Sequence, residues 1–216
     1  MHLLSNELWF PSQDKADKDG LLAIGGDLSM ERLLLAYNNG IFPWFNKEEP
    51  PLWWSPDPRM VIAPENVYVS KSMRKLIRNE TFRVTYNQDF LGVISACRSA
   101  PRKDQYGTWI TQELIGAYLE LFEAGHIISV EVWKGNTLAG GLYGINLKEK
   151  GVFCGESMFA HESNASKYGF IMLSRKLQNE GCRLIDCQIY TDHLASLGAT
   201  EIPRTSFLAY LNNSSH

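Results

Sequence analysis

The sequence predicts an α+β fold in which helices pack on a mixed, mostly antiparallel sheet. Three apolar segments, 127–133, 138–143 and 152–159, are separated by short turns and alternate as the strands of an antiparallel meander do. A helix follows over about 164–180, and the apolar segment 183–190 comes directly after it. A strand that returns to a meander after a helix gives a mixed sheet.

The composition is that of a globular protein with a sizeable core. The chain has 216 residues, of which 44% are hydrophobic and 12% aromatic, so it forms one domain or a small domain joined to a larger one. Its formal net charge of −3 excludes a surface covered in positive charge but leaves room for a local basic patch. We find no run of about eighteen apolar residues and no secretory signal pattern. The four cysteines lack CxxC spacing, which favours buried, reduced thiols over disulfides or zinc ligands.

The first sixty residues contain short elements and one unusual loop. An apolar run at 21–26 precedes a helix that Ser29 caps and Gly40 ends. Prolines in 41–59 predict an irregular, stiff loop, because proline interrupts helices and central strands. This loop carries the aromatic residues Phe42, Trp44, Phe45, Trp53 and Trp54. These rings could stack on a base or simply cap a core. We predict a small N-terminal domain at 1–62 and a larger domain at 63–216.

A basic helix is predicted to begin after Ser70. Its offsets of 0, 3, 4 and 7 place four cations on one face, opposite three apolar residues. The cations are Lys71, Arg74, Lys75 and Arg78, and Arg98, Arg102 and Lys103 could extend the patch. Because a solvated face usually mixes both signs of charge, the pattern is compatible with contacts to a phosphate backbone as well as with a plain surface.

Three polar residues in apolar strands are candidates for chemistry. Asp186 and Gln188 alternate on one strand, so both side chains lie on the same face. They could orient an amine and relay its proton, or Asp186 could be a hydrogen-bonded anchor in the core. Glu156 also lies in an apolar strand, where an unpaired carboxylate is costly to bury. Its partner is either a structural arginine or the cation of a ligand.

Several segments together resemble the bacterial leucyl/phenylalanyl-tRNA–protein transferases. The matching blocks run in order from residue 10 to about residue 211, and their joint occurrence is specific. They are 10–11, 20–29, 40–45, 53–59, 107–111, 153–159, 164–167 and 184–188. One departure is that relatives usually continue past the position of Leu211 with a segment that could contact RNA or pack between domains.

The resemblance implies a cytoplasmic, monomeric enzyme of the N-degron pathway that uses no cofactor, metal or ATP. Such enzymes move Leu or Phe, and Met less well, from aminoacyl-tRNA onto proteins that begin with Arg or Lys. The fold it implies is a small N-terminal domain on a larger domain similar to the Gcn5-related acetyltransferases. The reaction is aminolysis of an ester that is already activated, so no phosphate loop or protein nucleophile is needed.

The resemblance also implies roles for individual residues. Asp186 acts through Gln188, and Glu156 recognises the acceptor. The pocket for the donor amino acid is formed by Leu142, Met158, Phe170, Leu173, Leu177 and Ile185, although a core stripe explains the spacing within 170–177 equally well. The clamp for the 3′ adenosine is formed by Trp44 and Trp109, with Tyr37 and Tyr118 close behind. The basic helix follows the phosphates of the tRNA. Asn164, Ser166 and Lys167, at the start of a helix, also lie near the nucleotide, although capping of that helix alone explains Asn164 and Ser166.

Three other classes of function remain open at this stage. A CoA-dependent acetyltransferase is disfavoured because residues 162–168 lack the glycine-rich turn that holds a pyrophosphate. A non-catalytic binder of tRNA or N-degrons would need the basic face and the aromatic clamp but not Asp186 with Gln188. A cofactor-free peptidyltransferase of cell-wall synthesis would differ in its acceptor.

Overall fold

The computed structural model describes residues 2–100 and 108–212. Its strands are β1 (His2–Leu4), β2 (Leu21–Gly25), β3 (Phe42–Pro43), β4 (Leu52–Trp54), β5 (Arg59–Ile62), β6 (Arg83–Tyr86), β7 (Ile127–Lys134), β8 (Thr137–Leu147), β9 (Val152–Ala160), β10 (Leu184–Gln188) and β11 (Thr200–Ile202). Its α-helices are α1 (Met30–Asn38), α2 (Lys71–Arg78), α3 (Phe90–Ser99), α4 (Gln112–Glu123), α5 (Ala165–Asn179), α6 (Asp192–Ala195) and α7 (Arg204–Asn212). None of the described helices is long and apolar enough to cross a membrane.

The larger sheet confirms the predicted α+β class. Its seven strands have the order β11-β5-β10-β9-β8-β7-β6. Strands β7, β8 and β9 form the predicted antiparallel meander. Helix α5 then carries the chain to β10, which pairs with β9 in parallel and with β5 in antiparallel orientation. The sheet is therefore mixed and mostly antiparallel, with one parallel pair among its described strands.

The smaller sheet corrects the prediction for the proline-rich loop. Residues 41–59 are not irregular throughout, because β3 and β4 pair in a four-stranded sheet of order β1-β2-β4-β3. Pro43 lies in β3 at the edge of this sheet, where a missing N–H donor costs little. The inner strand β4 contains no proline and fits between those at 51 and 56. The prolines therefore limit where β3 and β4 lie and how long they are, but they do not prevent these strands from forming.

The two sheets share one hydrophobic core. Leu33 and Trp53 from the N-terminal part belong to the same buried cluster as Phe90 and Leu121 from the rest of the chain. The division into domains at residue 62 stays a prediction, but Arg59–Ile62 forms β5 and thus belongs to the larger sheet. The first sixty residues accordingly pack on the larger sheet through a common interior.

Gly40 lies at the turn after α1, where it contacts both α7 and the buried Arg59. It ends α1 with a φ of 69°, a conformation that glycine adopts without strain. A Cβ atom at this position would lie 2.8 Å from a side-chain carbon of Leu208, so the approach of α7 also requires glycine. The Gly40 carbonyl oxygen accepts a hydrogen bond from Nη1 of the buried Arg59 at 3.1 Å.

The helix N-termini lie where the sequence predicts them, but one predicted capping hydrogen bond is not made. Ser29 caps α1 by accepting a hydrogen bond from the N–H of Arg32. Asn164 occupies the predicted N-cap position of α5, but its side chain makes no capping hydrogen bond, and its φ of 68° is left-handed. The predicted capping interaction of Asn164 is therefore wrong, although the helix begins where the sequence indicates.

All four cysteines lie within the described ranges and none is in a disulfide. Cys97, Cys154 and Cys187 are buried, and Cys182 is half-buried. This agrees with the prediction of reduced, mostly buried thiols.

Candidate active site

A cavity of about 790 Å³ opens where the two parallel strands of the larger sheet separate. Strands β9 and β10 pair over three residues and stop at the register that joins Asp186 to Cys154. Beyond this point β9 continues along β8, whereas β10 shifts register against β5 by a bulge between Asp186 and Gln188. The ends of β9 and β10 are therefore free to line a binding site, as in other sheets whose parallel strands diverge.

The cavity has an apolar region and an aromatic wall. Leu142, Met158, Phe170 and Ile185 line the apolar region, so four of the six residues expected around the donor side chain face the cavity. Leu173 and Leu177 do not line it. They are buried in the adjacent core, 0% and 1% exposed, as the alternative of a core stripe predicted.

The aromatic wall contains both tryptophans that the sequence analysis placed in the clamp. Trp44 lines the cavity with 36% of its surface exposed, and Trp109 lines it while almost fully buried. Trp44 is held from behind by Trp54, whose indole N–H donates to the Trp44 carbonyl oxygen at 2.7 Å. Phe42 and Pro43 complete this side of the cavity. Most other aromatics of the loop cap the core, so Trp44 is the exposed ring of that segment.

Tyr37 and Tyr118 lie elsewhere than the sequence analysis expected. They are 1% and 0% exposed and do not line the cavity, so their rings are not available to stack on a nucleotide there. Their hydroxyl oxygens lie 2.7 Å apart, and the Tyr118 hydroxyl donates to Oε2 of Glu156 at 2.7 Å. The prediction of a second layer of the clamp is thus replaced by a hydrogen-bonded chain that ends on a carboxylate.

Asp186 forms a buried, bidentate ion pair with Arg59. The Arg59 Nε donates to Oδ1 at 2.8 Å and Nη2 donates to Oδ2 at 2.7 Å, and both residues are 0% exposed. The guanidinium carbon lies 4.8 Å from the ring centre of Phe42 and 4.7 Å from that of Phe207. Burial disfavours the charged arginine, but the nearby Asp186 outweighs it and raises the pKa of Arg59. Charge, hydrogen bonds and ring contacts therefore fix the Asp186 carboxylate in place.

Glu156 is the second carboxylate at the cavity, and its surroundings differ from those of Asp186. It is partly buried in β9, and no arginine or lysine pairs with it within the described ranges. Its Oε1 accepts from the Gln188 side-chain amide at 2.8 Å, and its Oε2 accepts from Tyr118. Burial raises the pKa of Glu156 to about 7, although hydrogen bonds from Tyr118, Tyr37 and Gln188 oppose the shift. The structural arginine considered as its partner belongs to Asp186 instead.

Gln188 links the two carboxylates. Its backbone N–H donates to Oδ1 of Asp186 at 2.9 Å, while its side-chain amide donates to Glu156. Its φ of 66° lies in the left-handed region, which costs a non-glycine residue free energy and is typical of functional sites. The strained backbone and two hydrogen bonds hold the Gln188 amide at the cavity wall.

Two further polar residues line the cavity: Ser166, which the resemblance places near the nucleotide, and His193, which the sequence did not indicate. Ser166, at the start of α5, is 7% exposed and lines the cavity. His193, in α6, also lines it, and burial together with the charge of Lys167 lowers the pKa of His193. Lys167 itself donates to the hydroxyl of Ser196 at 3.0 Å, which ties α5 to α6. A lone histidine in a polar segment carries no periodic signal, so only the fold reveals its position.

The basic helix forms as predicted, with one charged face. Lys71, Arg74, Lys75 and Arg78 are all exposed, and none forms an ion pair within the part of the chain that the structure describes. Met73 is buried beneath them in a cluster that includes residues of α5. Of the residues that could extend this face, Arg98 donates to Gln112 at 2.9 Å, and Arg102 and Lys103 lie outside the described residues. Gly107 of the resembling block 107–111 also lies outside them.

The described residues contain no group of three or more His, Cys, Asp or Glu side chains that could bind a metal ion. The cavity presents carboxylates, an amide and a strained backbone beside an apolar pocket. Such groups orient an amine, move a proton and stabilise a polarised carbonyl.

Two solved structures are distantly similar to this chain. A GCN5-related N-acetyltransferase from Kribbella flavida has 9% sequence identity and a TM-score of 0.40, covering 79% of this chain and 59% of that one. L-PGS from Bacillus licheniformis has 10% identity and a TM-score of 0.41, covering 81% and 57%. Similarities at this level do not assign a function.

Comparison of sequences is decisive. The model of the leucyl/phenylalanyl-tRNA protein transferase family matches residues 61–212, and that of its N-terminal domain matches residues 26–57. A leucyl/phenylalanyl-tRNA–protein transferase of Christiangramia forsetii is 56% identical over 98% of this chain and 100% of its own length. Those of Flavobacterium psychrophilum and Pseudomonas fluorescens (strain Pf0-1) are 55% and 53% identical, covering 98% and 97% of this chain and 99% and 92% of their own lengths. A longer C-terminal segment is thus not common to all relatives. The chain belongs to the leucyl/phenylalanyl-tRNA–protein transferase family.

Proposed function

We propose that this aminoacyltransferase moves Leu or Phe, and Met less well, from aminoacyl-tRNA to the α-amino group of proteins that begin with Arg or Lys. The new peptide bond would mark these cytoplasmic proteins for degradation. One observation carries the proposal: a single cavity brings together an apolar pocket, an aromatic wall and the Glu156–Gln188 pair. An aminoacyl adenosine and an amine need these three surfaces, and the family assignment supports the choice.

The apolar region suits the donor side chain. Leu142, Met158, Phe170 and Ile185 are all without polar side-chain atoms that could bind a hydrophilic donor. Pockets of this kind accept Leu, Phe and Met, and they exclude β-branched side chains by shape at roughly 1–3 kcal/mol per misplaced methyl group.

The aromatic wall and the basic helix suit the tRNA. We place the 3′ adenosine against Trp44 and Trp109, where stacking would contribute about 1–3 kcal/mol per base. The face of α2 formed by residues 71–78 would contact phosphates without reading sequence. This arrangement selects the donor by its amino acid and its 3′ end rather than by its anticodon.

The acceptor is cationic and needs an anionic contact. Two carboxylates belong to the described lining of the cavity, but the charge of Asp186 is already paired with Arg59. Glu156 is therefore the carboxylate that would meet the incoming acceptor. In this arrangement Asp186 positions Gln188, and Gln188 orients the reacting groups.

The reaction is aminolysis of an ester that the tRNA already activates, so it would require neither ATP nor CoA. The enzyme mainly needs to hold amine and ester together, which is worth up to roughly 7–11 kcal/mol. It must also accept a proton and stabilise the tetrahedral oxyanion. The amide of Gln188, fixed at the cavity wall, is the candidate for polarising the carbonyl.

The proposal is tested by transfer of tritium-labelled leucine from Leu-tRNA to a protein that begins with Arg. The same protein beginning with Ala is the matched control, and neither ATP nor CoA is added. We expect label on the Arg protein only. Binding of Leu-tRNA without transfer would instead support a non-catalytic binder, and equal labelling of both proteins would exclude the proposed selection.

A further inference from the structure

The two carboxylates at the cavity are bound too differently to share one role in proton transfer. We infer that Glu156 takes the proton of the attacking amine, and that Asp186 is a positioning residue that does not exchange protons with substrate. The inference rests on the proposed function, because it concerns the amine that this function requires. It is supported by hydrogen bonding, burial and access to the cavity.

Asp186 has no free access to an amine. Each of its oxygens is held by a different nitrogen of Arg59, and Oδ1 also accepts from the Gln188 backbone N–H. Its side chain is fully buried, and the Arg59 guanidinium that holds it packs on the rings of Phe42 and Phe207. A proton on Asp186 would break a buried ion pair and leave the arginine uncompensated. Asp186 therefore stays paired with Arg59 and keeps Gln188 in place.

Glu156 has both access and spare acceptor capacity. Its side chain lines the cavity, Oε1 accepts from Gln188, Oε2 accepts from Tyr118, and the Tyr37 hydroxyl acts as a third donor. An ionised carboxylate offers about four acceptor sites, so a position remains for an amine. Because Gln188 is bound to the same carboxylate, an amine on Glu156 lies next to the amide that would polarise the ester.

The groups that face Glu156 set its proton affinity from several elements. Tyr118 on α4 and Tyr37 on α1 stabilise the anion, as Gln188 does, whereas the negative charge of Asp186 on β10 destabilises it. Arg59 on β5 also interacts with it, and Cys154 lies two residues away on β9. Burial raises the pKa of both tyrosines well above 10, so they act as donors and not as proton carriers. The outcome, a pKa of Glu156 of about 7, is close to that of an α-amino group near 8.

The step balances without a further reactant. The neutral α-amino nitrogen attacks the ester carbonyl carbon, a C–N bond forms, and the oxygen of the former carbonyl becomes an oxyanion. The nitrogen, now positively charged, passes one proton to the Glu156 carboxylate. As the carbonyl re-forms, the bond from carbon to the 3′ oxygen of the ribose breaks, and Glu156 returns the proton to that oxygen. The products are the extended protein and free tRNA, and Glu156 is ionised again.

The test is the pH dependence of the single-turnover rate of leucine transfer to a protein beginning with Arg, from about pH 5.5 to about pH 8.5. Four enzymes are compared: wild type, Glu156→Gln, Tyr118→Phe and Tyr86→Phe. The last is a matched control, since its half-buried hydroxyl donates to a backbone oxygen of α5 and does not line the cavity. Circular dichroism and thermal unfolding confirm that each variant is folded. The acceptor's own ionisation is common to all four, so only differences between the profiles count.

We expect Glu156→Gln to lower the plateau rate by about 10²-fold or more and to lose the rise near pH 7, which leaves only the ionisation of the acceptor near pH 8. Tyr118→Phe removes a hydrogen bond that stabilises the anion, so its midpoint moves up by about one pH unit with a similar plateau. Tyr86→Phe should match wild type.

Retention of the rise near pH 7 in Glu156→Gln would overturn the inference. So would a higher KM for the acceptor with an unchanged rate profile, because that result assigns Glu156 to binding alone. An equal loss of rate at every pH in Tyr118→Phe would also contradict it. Absence of transfer by the wild-type enzyme would overturn the proposed function and this inference together, so the two failures are distinguishable.

Discussion

Asp186 and Glu156 lie on neighbouring parallel strands, and both belong to the lining of one cavity, yet their surroundings are opposite. Asp186 is fully buried and paired with Arg59, whose guanidinium packs on two aromatic rings. Glu156 is partly exposed and is held only by neutral donors. The comparison teaches that the environment, more than the residue type, decides which carboxylate can exchange a proton with a substrate.

The largest effect should come from breaking the Arg59–Asp186 pair. Arg59→Met leaves the Asp186 carboxylate buried without a counter-charge, and we expect the free energy of unfolding to fall by about 3–5 kcal/mol. Urea denaturation followed by tryptophan fluorescence measures this. The double variant Arg59→Met/Asp186→Leu removes both charges and should recover most of the stability. A loss below about 1 kcal/mol in the single variant would show that the pair is not the anchor described here.

The pH dependence of the free energy of unfolding should report the raised pKa that distinguishes Glu156 from the ion-paired Asp186. The pKa of this group is about 7 in the folded protein against an ordinary 4.5. Between these values the folded state binds more protons than the unfolded state, so Glu156 lowers the free energy of unfolding as pH rises from 4.5 to 7.

Glu156→Gln removes this contribution. Its free energy of unfolding, minus that of wild type, should therefore increase with pH in that window, by at most about 1.4 kcal/mol per pH unit. Urea unfolding at several pH values measures the difference. A difference that is flat, or that decreases with pH, would mean that the pKa of Glu156 is not raised.

Replacing a tryptophan of the aromatic wall should weaken the binding of the donor tRNA without affecting proton transfer by the carboxylates. Trp44→Ala should weaken the binding of Leu-tRNA by about 1–3 kcal/mol through loss of stacking, without changing the pH midpoint of transfer. Fluorescence anisotropy with labelled tRNA measures the affinity. Trp9→Ala is the matched control, because Trp9 is 38% exposed, similar to the 36% of Trp44, and does not line the cavity. An equal effect of both variants would remove the adenosine from the position proposed for it.

The smallest effect should come from the basic helix, which is separate from both carboxylates. Lys75→Ala should weaken tRNA binding only severalfold and reduce the slope of log affinity against log salt by about one. Lys148→Ala is the control, since this exposed lysine lies just before β9, away from its cavity-lining end. The same reduction in slope for both variants would indicate general attraction rather than a binding face.

Local patterns predicted much of this molecule, because alternation and helical spacing depend on near neighbours in sequence. The meander, α5 and the face of α2 with Lys71 follow from such spacing. The end of β10 does not: the predicted strand ran to residue 190, whereas it ends at Gln188, where a left-handed φ turns the chain toward the cavity. That conformation is held by contacts to Asp186 and Glu156, and strand periodicity does not report it.

The sequence predicted which residues belong to the site better than it predicted how those residues pair. Asp186, Gln188 and Glu156 do meet, but Arg59 is 127 residues from Asp186, and no local spacing predicts their pairing. The resemblance implied that Tyr118 lies close behind the tryptophan clamp, whereas tertiary packing buries its ring and directs its hydroxyl to Glu156. Residue type indicates which chemistry is available, and only long-range packing decides which group is exposed to the substrate.

The most direct test of the central contrast is the pH–rate profile of Asp186→Asn, measured in single turnover at a temperature where the variant is folded. Asparagine keeps an oxygen that can accept the Gln188 N–H, while removing the charge that raises the pKa of Glu156. We predict that the rise of rate with pH persists and that its midpoint moves to lower pH. Disappearance of that rise would instead identify Asp186 as the group that takes the proton.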